Sequence, residues 1–291
     1  MAQDVRGLQQ RSWGETLRTD KWWITPLVVF VGLTAFIVYA NVAALQNDHY
    51  TYGNYLSPFY SPTVFASHAP EGASEAEIMR REEHLHHSWF DGSPSWWPGF
   101  VPFSPALIIL MFPAGFRLTC YYYRGAYYKA FWADPPSCGV GEPRKGYLGE
   151  NHLPLIIQNI HRYFLYFALL FLVFLAYDAF MGFFFDTAKG DEANADGHYT
   201  TFGLGVGTLV LCLNVFLLSG YTLGCHSLRH LVGGFMDKFS GSPVKTKCYD
   251  CVSCLNRQHM IWAWCSLVWV AFSDVYVRLC SMGIWQDFRF F

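Results

Sequence analysis

Apolar residues along this chain are collected into long blocks, and polar and charged residues fill the intervals between them. A helix needs about 20 mostly apolar residues to cross the hydrocarbon layer of a membrane. Five blocks are of this kind: Trp22–Leu45, Phe103–Thr119, His161–Phe185, Phe202–Leu223 and Met260–Ile284. The pattern predicts an all-α integral membrane protein, a bundle of five transmembrane helices that forms a single membrane domain over residues 1–291.

Polar residues with helical spacing extend some of these blocks beyond the membrane. The predicted helices span residues 22–45, 103–133, 161–185, 202–231 and 259–284, with an outer loop at 46–97 and cytoplasmic loops at 134–160 and 232–258. The composition agrees, since only 14% of the residues are charged, against about a quarter in soluble domains. The polar start of the chain does not resemble a cleaved signal peptide. A net charge of −2 gives no indication of a nucleic-acid partner.

Lysine and arginine are distributed unevenly between alternate loops. The N-terminal arm, the region 117–162 and the region 229–257 together hold 15 of the 20. By the positive-inside rule this bias predicts a cytoplasmic N-terminus. Five crossings then put the C-terminus outside.

The segment Leu223–His230 combines a thiol, a guanidinium and two imidazoles at the cytoplasmic end of one block. His226 and His230 are four residues apart, so they share a helical face. Cys120 lies at the same membrane face, and Cys138 follows two prolines in a rigid loop. Because the cytoplasm is reducing, these cysteines predict metal binding rather than disulfides.

Two metal sites are compatible with this set. A Rieske-type two-iron cluster takes two thiolates and two imidazoles, and the candidate ligands are Cys120, Cys138, Cys225, His226 and His230. The alternative is an iron–sulfur or zinc site on Cys248, Cys251, Cys254 and His259. Which of the two imidazoles at 226 and 230 would face the metal stays open at this point.

Histidine placement argues against a pair of haems. Axial histidines would be needed at both membrane levels, and no predicted helix carries one in its outer half. A single haem b remains an alternative, with His161 opposite His226 or His230. The outer-loop histidines His84, His86 and His87 belong to a predicted helix from Glu75 and are expected to be solvated rather than metal-bound, since their spacing does not put all three on one face.

Away from their ends, the apolar blocks contain three charged residues, at positions where charge is costly unless paired or functional. Asp274 and Arg278 are four residues apart and are predicted to pair along one helix. Asp178 has no obvious partner in the sequence. It is expected to contact other polar groups, to be protonated, or to form part of a proton path.

Four segments resemble one family. They are TCYYYRGAYYKAFW (119–132), DPPSC (134–138), LPLIIQNIHRYF (153–164) and CHSLRH (225–230). The chain is similar, from about residue 50 onwards, to the five-helix membrane anchor of the succinate dehydrogenases of mycobacteria and related bacteria. The triplet of cysteines at 248–254 departs from the family pattern and leaves an additional metal site open.

The resemblance implies a multi-pass protein of the bacterial inner membrane within a respiratory complex. A flavoprotein would oxidise succinate, and an iron–sulfur subunit would pass the electrons to this anchor, which reduces menaquinone or ubiquinone. A further small membrane subunit is compatible with such a complex. Anchors of this type are haem-free and carry a Rieske-type two-iron cluster.

A quinone pocket needs an apolar slot with a few polar groups that bind and protonate the carbonyls. The candidates on this chain are Tyr121, Arg124, His152, His161 and Arg162. The alternatives to this function are a haem b anchor of a related quinone reductase and a membrane scaffold with a structural zinc site.

Overall fold

The structure is a computed structural model that describes residues 12–66, 68, 75, 78, 88–143, 151–153, 155–186, 200–234 and 241–291. It divides into two compact units. The first unit comprises Met1–Ile37 and Arg117–His161, and the second comprises Val38–Phe116 and Arg162–Phe291. The predicted outer-loop helix with His84, His86 and His87 lies almost wholly outside the described residues.

Helices dominate both units. The α-helices are α1 (Ile24–Gln46), α2 (Pro105–Leu118), α3 (Tyr121–Ala126), α4 (His161–Met181), α5 (Val206–Leu223), α6 (His226–Gly233), α7 (Pro243–Arg257) and α8 (His259–Ser281). A π-helical turn at Tyr127–Phe131 continues α3, and a 3-10 helix at Leu155–Ile160 leads into α4. Two short antiparallel pairs join β1 (Thr51–Tyr52) to β2 (Tyr55–Leu56) and β3 (Phe184–Asp186) to β4 (Thr200–Phe202).

Four helical segments are long and apolar enough to cross a membrane. They are α1, the continuous helical segment Ile156–Met181, α5 and α8. The bent pair formed by α2 and Tyr121–Phe131 is a fifth candidate if it counts as one broken span. The prediction of a helical membrane protein is therefore confirmed with four or five spans.

Two of the predicted helices are interrupted. The helix expected over 103–133 ends at Leu118 and restarts at Tyr121, and the helix expected over 202–231 ends at Leu223 and restarts at His226. Cys120 and Cys225 are the residues at these breaks, and both have extended backbone angles as N-caps of the next helix. The segment predicted as a loop over 232–258 contains the helix α7, which the sequence pattern did not predict.

The second unit has its core between the antiparallel helices α5 and α8. At one end, Val210 packs with Tyr276 and Cys280, and the indole nitrogen of Trp269 donates to the carbonyl of Val210 at 3.0 Å. At the other end, the ring of Tyr221 stacks on the ring of His259 at 4.9 Å. This antiparallel arrangement gives the second unit two distinct ends.

The segment after α1 inserts into the Val210–Cys280 end of the second unit. Tyr50 and Tyr60 are almost fully buried and stack with their ring centroids 4.0 Å apart. Ser57, which lies between them in the sequence, donates to Asp274, and Ser61, which follows Tyr60, donates to Asp178. This part of the predicted outer loop is therefore packed structure, and Asp178 has a hydroxyl partner that the sequence did not reveal.

In the first unit, the N-terminal arm pairs with the loop that carries Cys138. The amide of Gly14 donates to the carbonyl of Gly141 at 3.0 Å, and the amide of Gly141 donates to the carbonyl of Glu15 at 2.9 Å. Thr16 and Val140 form an antiparallel bridge. Backbone hydrogen bonds to the N-terminal arm, which is far away in the sequence, therefore hold this loop in place.

Candidate redox and quinone site

Cys225 lies where α5 stops, and the local sequence explains the stop. Gly224 is the C-cap, and its amide donates to the carbonyl of Gly220 at 3.0 Å. A Cβ at Gly224 would lie 2.7 Å from that carbonyl oxygen, so only glycine fits there. Asn256 of α7 donates its side-chain amide to the carbonyl of Gly224 at 2.8 Å and satisfies an end group of the helix.

The chain then restarts as α6 with Cys225 as its N-cap. Cys225 is 1% exposed, and its carbonyl accepts the amide of Arg229 at 3.0 Å. A buried thiol in this position suits a metal ligand.

His226 and His230 face each other on α6. Their Nε2 atoms are 2.9 Å apart, and their ring centroids are 4.4 Å apart. Burial of part of the ring lowers the pKa of His226, and the neighbouring His230 and Arg229 lower it further. Its neutral form is therefore favoured, and neutral imidazole is the form that binds metal.

Arg229 lies between α6 and α7 rather than on the side of the two imidazoles. Its Nε donates to the hydroxyl of Ser253 at 3.0 Å, and its guanidinium lies 5.0 Å from the centre of the Tyr249 ring. These contacts fix α6 against α7. They also orient α7 with the face of Tyr249 and Ser253 inward.

The cysteines of α7 do not join this site. Cys248, Cys251 and Cys254 are all exposed. His259, the fourth member of the alternative site, is 2% exposed and stacks on Tyr221. The three sulfurs and this imidazole therefore lie in different environments.

In the first unit, Cys120 is buried at the break between α2 and α3. It is 2% exposed, and its carbonyl accepts the amides of Tyr123 and Arg124. The preceding residue, Thr119, has its Oγ1 2.8 Å from Nδ1 of His161. Arg117 donates to the hydroxyl of Tyr123 at 3.0 Å. Thr119 therefore directly precedes the candidate ligand Cys120 and contacts the candidate quinone-binding residue His161.

Cys138 is exposed, and the N-terminal arm determines where its loop lies. Arg18 donates through Nη1 to the hydroxyl of Ser137 at 2.8 Å and to the carbonyl of Cys138 at 2.9 Å. The same guanidinium pairs with Asp20, and this partner raises the pKa of Arg18 and lowers the pKa of Asp20. Arg18 therefore orients the Cys138 loop, a role for which the sequence offered no signal.

The quinone candidates range from exposed to half-buried. Tyr121 is 69% exposed, with the Arg124 guanidinium 5.7 Å from its ring centre. His152 and Arg162 are exposed, and His161 is half-buried. Exposed aromatic and basic groups at the ends of spans are typical of the membrane interface. His161 has its Nδ1 2.8 Å from the hydroxyl of Thr119.

The metal donors fall into two sets. Cys120 and Cys138 belong to the first unit, and Cys225, His226 and His230 belong to the second. Within the described part of the chain, no group of three or more His, Cys, Asp or Glu side chains is assembled as a metal site. The donor chemistry fits an iron–sulfur cluster, and the Nε2 atoms of His226 and His230 lie 2.9 Å apart.

The fold and the apolar spans define a multi-pass helical membrane protein. The family of the actinobacterial succinate dehydrogenase subunit SdhC matches residues 24–283, and the chain belongs to that family. A chain of the Mycobacterium smegmatis Sdh1 complex in the apo form is similar to it, with 38% sequence identity and a TM-score of 0.75, over 98% of this chain and 97% of that one. No curated protein matches the sequence.

These findings confirm the resemblance and the location predicted from the sequence. The protein is a membrane anchor subunit of an actinobacterial succinate dehydrogenase and a multi-pass protein of the bacterial inner membrane. Its partners are the other subunits of that complex. The cluster, its ligands and the quinone contacts are not tested by the comparisons and stay predictions.

Proposed function

We propose that this subunit takes electrons from the iron–sulfur subunit of succinate dehydrogenase on the cytoplasmic side and reduces membrane quinone. We further propose that a Rieske-type two-iron cluster carries the electrons, with Cys225, His226 and His230 as ligands from the second unit. A Rieske-type cluster takes one further thiolate, for which Cys120 and Cys138 are the predicted candidates. The flavoprotein that oxidises succinate binds on the same side.

The convergence of His226 and His230 carries this proposal. Imidazole nitrogens bind first-row metals at about 2.0–2.1 Å, so two of them on one ion lie roughly 3–3.4 Å apart. The Nε2 atoms of this pair are 2.9 Å apart, and small ring rotations bring them into that range. In a Rieske-type cluster both imidazoles bind the same iron. Both histidines, rather than one of them, are therefore proposed as ligands.

The position of Cys225 supports the same site. Adjacent residues within a helix point about 100° apart, which would separate a cysteine from the histidine that follows it. Cys225 is not within a helix, because its backbone is extended with φ −63° and ψ 137°. The 100° separation of adjacent helical side chains therefore does not apply to Cys225 and His226.

The chain's own residues would bind and protonate the quinone. Each quinone takes up two electrons and two protons and becomes a quinol with two new O–H bonds. A two-iron cluster bound here would supply the one-electron relay from the partner subunit. His161 would donate a proton to a quinone carbonyl, and Tyr121, Arg124, His152 and Arg162 would orient the headgroup at the interface.

Electron paramagnetic resonance of the purified complex, reduced with succinate, tests the cluster. The wild-type complex should give a Rieske-type signal with a low average g value. Cys225→Ser should lose that signal while the partner subunits stay bound. The matched control is Cys265→Ser, an exposed cysteine on α8 that is not among the proposed ligands, which should keep the signal.

Three results would contradict the proposal. They are a full signal in Cys225→Ser, a fully metallated wild-type complex that gives no such signal, and haem b in a pyridine haemochrome assay of a complex without the signal. The last result would favour the haem anchor.

A further inference from the structure

We propose that Thr119 is a positioning residue for quinone reduction, holding the His161 imidazole in the orientation and tautomer that protonates the quinone. This inference rests on the proposed function, in which His161 is the proton donor. Thr119 is 2% exposed, and its Oγ1 lies 2.8 Å from Nδ1 of His161. A buried hydroxyl on a ring nitrogen is a specific contact, since it restricts the ring plane and can accept a hydrogen bond from Nδ1 whenever that nitrogen carries a proton.

The chemistry of imidazole explains why this contact matters. Which ring nitrogen carries the proton is set by the hydrogen bond that the other nitrogen makes. When His161 is an imidazolium, Oγ1 of Thr119 accepts the Nδ1–H bond, and Nε2–H is the group that can donate to a quinone carbonyl. After that transfer the remaining proton stays on Nδ1, still held by Thr119, and the ring keeps its orientation for reprotonation at Nε2.

The place of Thr119 in the fold gives the contact its functional meaning. Thr119 lies at the break between α2 and α3, directly before the proposed thiolate ligand Cys120. His161 is the first residue of α4 and lies near one end of the candidate membrane span Ile156–Met181. The proposed proton donor His161 is therefore hydrogen-bonded to the residue that directly precedes the proposed cluster ligand Cys120.

A purely structural role for Thr119 predicts a different result. In that case the loss of its hydroxyl would lower the stability or the assembly of the complex, and the turnover of the assembled enzyme would be unchanged. Thr208 provides the matched comparison. It is also a fully buried threonine, and its Oγ1 donates to the carbonyl of Gly182 at 2.6 Å, near the N-terminal end of α5 in the second unit.

The experiment compares Thr119→Val, Thr119→Ser and Thr208→Val in the purified complex. Reduction of a short-chain quinone analogue gives kcat and KM, and succinate oxidation with an artificial dye as acceptor reports on the flavoprotein side alone. Thr119→Val should lower the quinone kcat roughly three- to tenfold, as expected for one lost hydrogen bond in the transition state. Its KM and its dye activity should stay close to wild type. Thr119→Ser should restore kcat to within about twofold, because it keeps the hydroxyl.

The controls separate the two levels of the proposal. Thr208→Val should leave the kcat per assembled complex unchanged. If His161→Gln keeps the full quinone kcat, the proposed role of His161 is wrong and the inference fails with it. If His161→Gln loses turnover and Thr119→Val does not, the inference alone is overturned. Should Thr119→Val not assemble, Thr119→Cys replaces it, since a thiol of similar size is a weak hydrogen-bond partner, and the same comparison with Thr119→Ser decides.

Discussion

Arg278 is the buried cation for which the structure gives the most complete set of partners. The guanidinium is 5% exposed, and its Nε lies 2.7 Å from the Asp274 carboxylate one turn earlier on α8. Its remaining nitrogens donate to Gln46 and to the carbonyls of Ala43 and Asp48 at the end of α1. The ion pair predicted along one helix is confirmed, and it also caps a second helix.

Arg278→Met tests how much this arrangement contributes. The methionine removes the hydrogen bonds to Gln46, Ala43 and Asp48, and it leaves the fully buried Asp274 carboxylate without a cation. Removing one partner of a buried ion pair costs about 3–5 kcal/mol. In a chain of this size that corresponds to a fall of roughly 6–20 °C in the midpoint of thermal unfolding.

The assay is thermal unfolding of the detergent-solubilised complex, followed by the loss of its assembled form. Lys245→Met, an exposed substitution on α7, is the control and should change the free energy of unfolding by no more than about 0.5 kcal/mol. The double variant Asp274→Leu/Arg278→Met removes the unpaired charge as well. It should recover a large part of the loss, because apolar replacements of a whole buried pair are often neutral. A double variant as unstable as Arg278→Met would refute the reasoning, since the unpaired carboxylate would then not be the source of the cost.

Two further predictions concern the other end of the second unit. The triple variant Cys248→Ser/Cys251→Ser/Cys254→Ser should keep the Rieske-type signal and the quinone turnover, because the three thiols are exposed on α7; loss of the signal together with iron would move the site to the triplet. Gly220→Ala should destabilise the complex by about 1–3 kcal/mol through overpacking, because the new Cβ would lie 2.5 Å from the Trp262 ring. Trp262→Phe in the same chain should relieve part of that loss, and thermal unfolding that does not distinguish the single and double variants would contradict the clash.

The spans were predictable because the membrane imposes a long apolar run that few other structures require. The breaks were harder to predict, since the residues on either side continue a helical pattern. Gly224 was a signal for the second break, because glycine is common where a helix ends. Thr119 and Cys120 carry no such signal, and the break there depends on tertiary packing. For the same reason the Thr119–His161 contact, which joins residues 42 apart, could not be read from spacing.

The inserted segment after α1 shows a different limit of sequence reasoning. Its length and its polar flanks indicated an outer loop, and loops generally run over the surface. The aromatic residues Tyr50, Phe59 and Tyr60 give it enough apolar area to be buried instead. Its serines then reach Asp178 and Asp274, two acids within predicted spans whose partners are remote in the sequence.

The two ends of the second unit therefore use polar residues for different purposes. At the end formed by the inserted segment, Asp178 and Asp274 are bonded to serine hydroxyls, and Asp274 also to Arg278. Groups paired in this way stabilise the bundle, so the hydrogen bond from Ser61 gives Asp178 a structural role. At the other end, α5 is broken, and His226 and His230 are exposed on the short helix that follows. Exposed imidazoles beside a buried thiol contribute little to stability, which is why chemistry is the better explanation for them.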